Sequence, residues 1–393
     1  MKDFIYEGIV PIIYGADQIK TVTERIAKLG KNVLIVSGTS FASGGNLNIL
    51  RSELEYAGIT TVCLENITEP LLSKVKEGIS VCIKNKVDVV IGIGGGVCMD
   101  LAKAIAFGTK NTENPLEKYL TYEISTEGLS HLPVVTIPTN PMSGSETNSD
   151  VQITLDEDGL QVGCPLAYAE FTWLNPEYVM TLPTNILAYG QMTAFVQLSC
   201  NYLNLTRSII AERFAEASMK TIISSLRESI ADPSNQNAKG TLMIISALSI
   251  SGINDLGREI EFVPYPLQSF AQRYLGLKYP QAMTGIFPYW MKAIYRASEN
   301  KEIFYKYFEE VLNISIAGKT EEEIIHEALN ALLAIYKEFG IASCYGELVN
   351  DPKNRKELVK IIDSFGPMHC NIMTVDSESL ADIIEDAISG NID

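Results

Sequence analysis

Three consecutive glycines, Gly94, Gly95 and Gly96, stand where the β-branched run Val89-Val90-Ile91-Gly92-Ile93 gives way to Met99-Asp100-Leu101-Ala102-Lys103, whose apolar residues recur at helical spacing. Residues without side chains let a backbone come close to a ligand, and the N–H groups that open a helix have no carbonyl ahead of them to bond. The first chemistry this pattern offers is therefore a cradle for a diphosphate. A plain tight turn between strand and helix uses the same residues, so the surroundings must decide.

Two further loops share the character. Gly38-Thr39-Ser40 follows the strand-like Val33–Ser37, and Thr139-Asn140-Pro141-Met142-Ser143-Gly144-Ser145-Glu146-Thr147 follows Leu132–Pro138. Both are dense in glycine and small hydroxyl residues beyond an apolar run, which suits a nucleotide clamp as well as a turn-rich connection.

The elements that must position these loops come next. Up to residue 183 the chain alternates strands with helix-period segments: helices over Gln18–Leu29, Asn46–Ala57 and Leu71–Lys84, and strands over Val33–Ser37, Thr60–Leu64 and Val87–Ile93. Such alternation predicts a parallel sheet covered by helices on both faces, with ligands beyond the carboxyl ends of its strands. Val151–Thr154 and Val162–Cys164, flanking Asp156-Glu157-Asp158-Gly159, read as a β-hairpin. Past Leu182-Pro183-Thr184 the strand patterns stop. Helical periodicity follows near Gln191–Leu203, Ser208–Ser229, Gly240–Leu256, Met283–Glu299, Glu321–Phe339 and Ser377–Ile388. The expected fold is an α/β nucleotide-binding domain over 1–183 joined to an all-helical domain over 184–393, with the reaction site in the cleft between them.

Composition narrows the partners. In 393 residues, Lys+Arg number 31 against Asp+Glu 48, a formal net charge of −17. That balance argues against nucleic acid and anionic membranes as main partners. The seven cysteines are scattered, with no C-x-x-C pair, as expected of reduced thiols. Met1-Lys2-Asp3-Phe4-Ile5-Tyr6 lacks the pattern of a secretory signal, and no apolar run reaches membrane-spanning length, so a cytoplasmic protein is expected. Histidines number only three.

The segment Gly94-Gly95-Gly96-Val97-Cys98-Met99-Asp100-Leu101-Ala102-Lys103 resembles the GGGS-x-x-D-x-A-K signature of the iron-containing (group III) alcohol dehydrogenase family. Ile137-Pro138-Thr139-Asn140-Pro141-Met142-Ser143-Gly144-Ser145-Glu146 is similar to its I-P-T-T-x-x-T-G-S-E. Asn175-Pro176-Glu177 with Leu182-Pro183 resembles its D-P-E followed by L-P, and Ile286-Phe287-Pro288-Tyr289-Trp290-Met291 resembles the F-P-x-W-M of its butanol-dehydrogenase-like branch. The resemblance implies a Rossmann-like domain of the dehydroquinate synthase-like fold binding NAD(H) or NADP(H), a helical domain, a homodimer, and a divalent metal that polarises an alcohol or carbonyl oxygen. It also implies that Gly95, Gly96 and Val97 meet the pyrophosphate, that Thr139, Asn140 and Ser143 belong to the nucleotide clamp, and that Asp100 sits near the cofactor. Val97 stands where the family has serine, removing a hydroxyl but not the backbone donor. Gly38, Thr39 and Ser40 include no acid to hold a free ribose 2′-OH, which points to NADP over NAD.

The same resemblance assigns the metal ligands, an aspartate and three histidines, to Thr193, Gln197, Tyr265 and Tyr279, and a neighbouring active-site histidine to Ser269. Hydroxyls and amides bind ferrous iron or zinc weakly, so no metal is expected. His369, beside Cys370, falls where the family often has a cysteine near the cleft, although one imidazole with one thiol is a poor metal site. Two readings remain. Either Tyr265 or Tyr279 acts as electrophile and acid in place of the metal, helped by Thr193, Gln197 or Ser269, or the chain is an inactive nucleotide-binding or scaffold relative. The plain alternative for the two tyrosines is aromatic packing between helices.

Overall fold

The computed structural model describes every residue except Ile5, Glu7, Ile9, Asp158, 350–353, Pro367 and Asp393. The chain folds as two compact units, one of Glu7–Leu182 with Glu228–Ser251, the other of Met1–Tyr6, Pro183–Arg227 and Gly252–Asp393.

The α/β unit contains β1 (Ile12–Tyr14), α1 (Ile19–Leu29), β2 (Asn32–Gly38), α2 (Thr39–Ser43), α3 (Asn46–Tyr56), β3 (Thr60–Ile67), α4 (Leu72–Asn85), β4 (Val89–Gly94), α5 (Gly96–Lys110) and α6 (Leu116–Leu120). It continues through β5 (Val134–Pro138), the short strands β6 (Ile153–Thr154) and β7 (Gln161–Val162), and β8 (Phe171–Leu174). Six strands form one parallel sheet in the order β1-β8-β5-β4-β2-β3. Every residue of β4 and β5 is buried, which explains their unbroken apolar character. One face packs under α4 and α5 with Leu34, Val36 and Val90, and the other under α1 and α3 with Val33, Ile35 and Ile91. The expected hairpin is the antiparallel pair β6 and β7, and Asp158 of its turn lies outside the described residues.

The edge strand β1 and the strand β8 carry no recognisable alternation. Four buried residues in succession leave β8 without a polar face to mark the period.

Helices α4 and α5 pack closely because each offers a glycine to the other's isoleucine. A Cβ on Gly78 would lie 2.3 Å from Ile105 Cδ1, and one on Gly108 would lie 2.4 Å from Ile79 Cδ1. Gly78→Ala gains about 1 kcal/mol in helix propensity against an overpacking penalty of about 1–3 kcal/mol. The expected result is a net loss of stability in urea unfolding, partly relieved in the double variant Gly78→Ala/Ile105→Val, which removes Cδ1 and leaves only Cγ1, 2.7 Å from the new methyl, to shift.

The remaining helices are α7 (Thr184–Tyr202), α8 (Ile209–Ala231), α9 (Gln236–Leu248), α10 (Pro264–Leu275), α11 (Tyr279–Ala297), α12 (Glu302–Glu310), α13 (Glu321–Glu338), α14 (Arg355–Asp363) and α15 (Ser377–Ser389). The helical unit opens at Pro183, and α9, inside Glu228–Ser251, belongs to the α/β unit. Helix α10 escapes the sequence pattern because its first turn holds both Pro264 and Pro266. Proline is tolerated there, where the missing N–H has no intrahelical partner. Helices α12 and α14, nine residues each, are too short for periodicity to stand out.

Candidate active site

In the α/β unit three neighbouring strands end together. Ser37 pairs in register with Ile93, and Gly94 with Pro138, so the segments beginning at Gly38, Gly95 and Thr139 leave the sheet side by side. Gly94 adopts φ +149°, and a Cβ there would lie 2.7 Å from Cys98 Sγ, so the turn requires glycine. Gly95 is the extended residue before α5, and Cys98 N–H and Met99 N–H donate to its carbonyl at 3.1 and 3.4 Å. The amides of Gly96 and Val97 come first in the helix and have no carbonyl ahead of them there.

The clamp loop lies directly on this turn. Thr139 N–H donates to Gly94 O at 2.9 Å, and Ser143 Oγ lies 2.6 Å from where a Cβ on Gly96 would stand. A Cβ on Gly95 would meet nothing closer than Asn140 Cβ at 3.9 Å. Asn140 Oδ1 and Ser37 Oγ are buried and without hydrogen-bond partners among the described residues. Thr39 and Ser40 are exposed in the first turn of α2. Open amides at a helix start, an unpartnered buried acceptor and room for a Cβ at Gly95 make a lining that fits a dinucleotide. The Val97 side chain packs against the apolar core and offers only its backbone.

Asp100 does something the sequence did not suggest. Its Oδ1 accepts from Ser145 Oγ at 2.5 Å and its Oδ2 from Gln152 N–H at 3.0 Å, so the carboxylate braces the segment after the clamp. Glu146, 1% exposed, has its carboxyl pushed up to about 7, chiefly by burial and further by Asp100, against the opposing pull of its own backbone N–H and of Lys103. The folded protein thus keeps a proton that an unfolded chain releases near pH 4.5, and stability from this group falls as pH rises toward 7. Glu146→Gln is expected to flatten that slope. In urea titrations at pH 5 and pH 7.5, the variant should gain on wild type by on the order of 2 kcal/mol at the higher pH.

The other candidates lie in the helical unit. Thr193 and Gln197 sit one turn apart on α7, both buried. Gln197 Nε2 donates to Tyr279 Oη at 3.2 Å, joining α7 to the start of α11 across 82 positions. Thr193 Oγ donates to Tyr189 O at 2.8 Å. On α10, Ser269 Oγ donates to Tyr265 O at 3.2 Å and accepts from Gln268 Nε2 at 2.7 Å. The Tyr265 ring lies 5.9 Å from that of Phe262.

His369 lines a groove of about 500 Å³ with Phe262, Val263 and Asn371. Sequence reasoning missed the group that holds this loop. Glu261, fully buried, accepts from Val263 N–H and Asn371 N–H, both at 3.2 Å, and burial raises its pKa. No local pattern marks a lone glutamate as buried.

Residues 10–176 match the sequence profile of a family described as iron-containing alcohol dehydrogenase. Over those residues the chain is similar to the iron-containing alcohol dehydrogenases. Among its curated relatives, NADH-dependent butanol dehydrogenase B of Clostridium acetobutylicum is 28% identical over 339 residues, covering 84% of each chain. NADPH-dependent aldehyde reductase YqhD of Escherichia coli is 22% identical over 378 residues, covering 93% of this chain and 94% of the relative. The crystal structure of NADH-dependent butanol dehydrogenase A from Thermotoga maritima shares the fold, with a TM-score of 0.90 at 23% identity over 98% of this chain and 99% of that one.

Iron-containing alcohol dehydrogenases take their name from a metal, so the donor set must be tested against one. Thr193, Gln197, Tyr265 and Tyr279 offer hydroxyls and an amide, with no imidazole or carboxylate, and do not fit a catalytic ferrous or zinc ion. Among the described residues no group of three or more His, Cys, Asp and Glu side chains could hold a metal ion elsewhere. Nor is any described helix long and apolar enough to cross a membrane.

Proposed function

We propose that this chain is a member of the iron-containing alcohol dehydrogenase family and an NAD(P)(H)-dependent oxidoreductase acting on a small alcohol, aldehyde or keto compound, with a hydrogen-bonded phenol in the role of the family's metal. The bond from Gln197 Nε2 to Tyr279 Oη carries the reading, because it joins two of the positions that the resemblance assigns to metal ligands. Gly95, Gly96 and Val97 would hold the dinucleotide, which when bound would supply the hydride from its reduced nicotinamide.

The chain's own residues supply the rest. In the bond with Gln197 the phenol oxygen is the acceptor, so the Tyr279 hydrogen is not used in that bond. An amide donating into a phenol oxygen strengthens the phenol as a donor, through the cooperativity of linked hydrogen bonds. A tyrosine of ordinary pKa about 10 is acid enough to protonate a developing alkoxide. Tyr265 and Ser269 add hydroxyls on α10, and His369 an imidazole in the loop that Glu261 holds.

For the nucleotide, the absence of an acid at Gly38-Thr39-Ser40 supports NADPH over NADH. Relatives of both habits exist, as their names record.

The test is a panel of small carbonyl compounds followed at the reduced-nicotinamide absorbance band, before and after exhaustive dialysis against a chelator. Turnover that survives dialysis, gains nothing from added ferrous or zinc ions and prefers NADPH is the expected result. Activity that vanishes on chelation and returns with metal sinks the metal-free role, and nucleotide binding without turnover on any substrate identifies an inactive relative.

A further inference from the structure

Among the described residues, the most deeply buried cation plays no part in the mechanism. Lys103 lies on α5 one turn beyond Asp100, with no exposed surface. Its Nζ donates to Ser145 O at 3.0 Å, Asn148 O at 3.3 Å, Asn148 Oδ1 at 3.4 Å and Asp150 O at 2.5 Å, and stands 3.6 Å from Asp100 Oδ1. An ammonium withdrawn from water in this way is tolerated only when acceptors surround it. Here almost all the acceptors belong to a single stretch of chain, the continuation of the nucleotide clamp.

From that stretch the contacts run back to the cradle. Ser145 N–H donates to Ser143 Oγ at 3.3 Å, and Ser143 Oγ is the atom seated 2.6 Å from where a Gly96 Cβ would stand. Asn148 Nδ2 donates to Gly144 O at 3.0 Å. On the other side, Thr147 Oγ donates to Ala247 O at the end of α9, and a Cβ on Gly144 would lie 2.6 Å from Ile250 Cγ1. The clamp is therefore held between α5 and α9, and Lys103 and Asp100 are the charged groups on the α5 side.

We infer that Lys103 is a positioning residue for nucleotide binding: its ammonium gathers the carbonyls of Ser145, Asn148 and Asp150 and so holds Thr139, Asn140 and Ser143 over the glycine turn. The inference rests on the cradle reading above. Burial pushes the Lys103 pKa down while Asp100, Asp150 and Glu146 oppose that shift, so the surrounding acids favour the charged form that the carbonyls require.

Lys103→Met keeps length and volume without the charge. Against wild type, the expected result is a rise of about tenfold or more in the KM and Kd for NADPH, with kcat at saturating nucleotide kept within about twofold. Hydrogen exchange should accelerate in peptides covering 139–150 and stay slow in β4. A merely structural lysine behaves differently: partial unfolding lowers the active fraction, so kcat falls at unchanged KM and exchange quickens across the whole sheet. That pattern overturns the inference, as does a variant that binds NADPH like wild type. Should Lys103→Met fail to fold, Asn148→Ala removes the Oδ1 that Nζ reaches at 3.4 Å, the one side-chain acceptor among its hydrogen bonds to the clamp. A KM rise of about threefold at unchanged melting temperature then supports the same chain of contacts, and an unchanged KM overturns it. Wild-type protein whose tryptophan fluorescence responds to neither NADPH nor NADH overturns the cradle reading itself, and this inference with it, whereas failure of the inference alone leaves wild-type binding intact.

Discussion

Tyr279→Phe is expected to lower kcat for carbonyl reduction by about 10²- to 10⁴-fold, the usual size of a positioned proton transfer, with nucleotide affinity unchanged. Phenylalanine keeps the ring and its packing at the start of α11, so the loss reports the hydroxyl. Gln197→Leu should produce a smaller loss of the same kind, because it removes the amide that donates to the phenol at 3.2 Å without touching the phenol itself. Tyr265→Phe separates the two tyrosines. Stopped-flow measurement of the chemical step at saturating NADPH is the decisive readout. Undiminished turnover in both phenylalanine variants would remove the tyrosines from the chemistry and return them to helix packing.

The second large effect concerns the cradle. Gly95→Ala adds one methyl in ordinary contact with Asn140 Cβ at 3.9 Å and nothing closer. The fold should therefore accept it, and the melting temperature should not move. A methyl between the helix amides and a diphosphate should still weaken NADPH binding by about tenfold to a hundredfold, a large effect for one carbon because it also blocks close approach to the donors. Gly96→Ala is the contrasting variant. Its Cβ would meet Ser143 Oγ at 2.6 Å, so both stability and binding should suffer. Equal nucleotide affinity in wild type and Gly95→Ala, by quenching of Trp173 or Trp290, would mean that no ligand lies over this turn.

The glycine turn was legible in the sequence because each of its requirements is local. Gly94 needs a positive φ, Gly96 needs the absence of a Cβ beside Ser143, and the flanking strand and helix have clear periods. Helix α7 is the opposite case. It is buried on nearly every side, so apolar and polar residues mix without a face, and its polar positions carry no signal of what they meet. Resemblance alone singled out Gln197 and Tyr279. Nothing in either neighbourhood says that one donates to the other.

Asp100 and Lys103 illustrate the same divide. Their spacing on a helix is obvious, and a charged pair there would ordinarily be read as solvated or as facing a ligand. Instead their partners are Ser145, Asn148, Asp150 and Gln152, more than 40 residues ahead, and that pairing turns two charges into a brace for a loop. What the sequence by itself determined is the α/β unit with its glycine turn and the helical character of the rest, since these follow from backbone geometry and short-range periodicity. Which buried polar groups meet was decided only by tertiary structure, because a hydrogen bond between residues 82 positions apart depends on how helices pack and leaves no trace in the local order of residues.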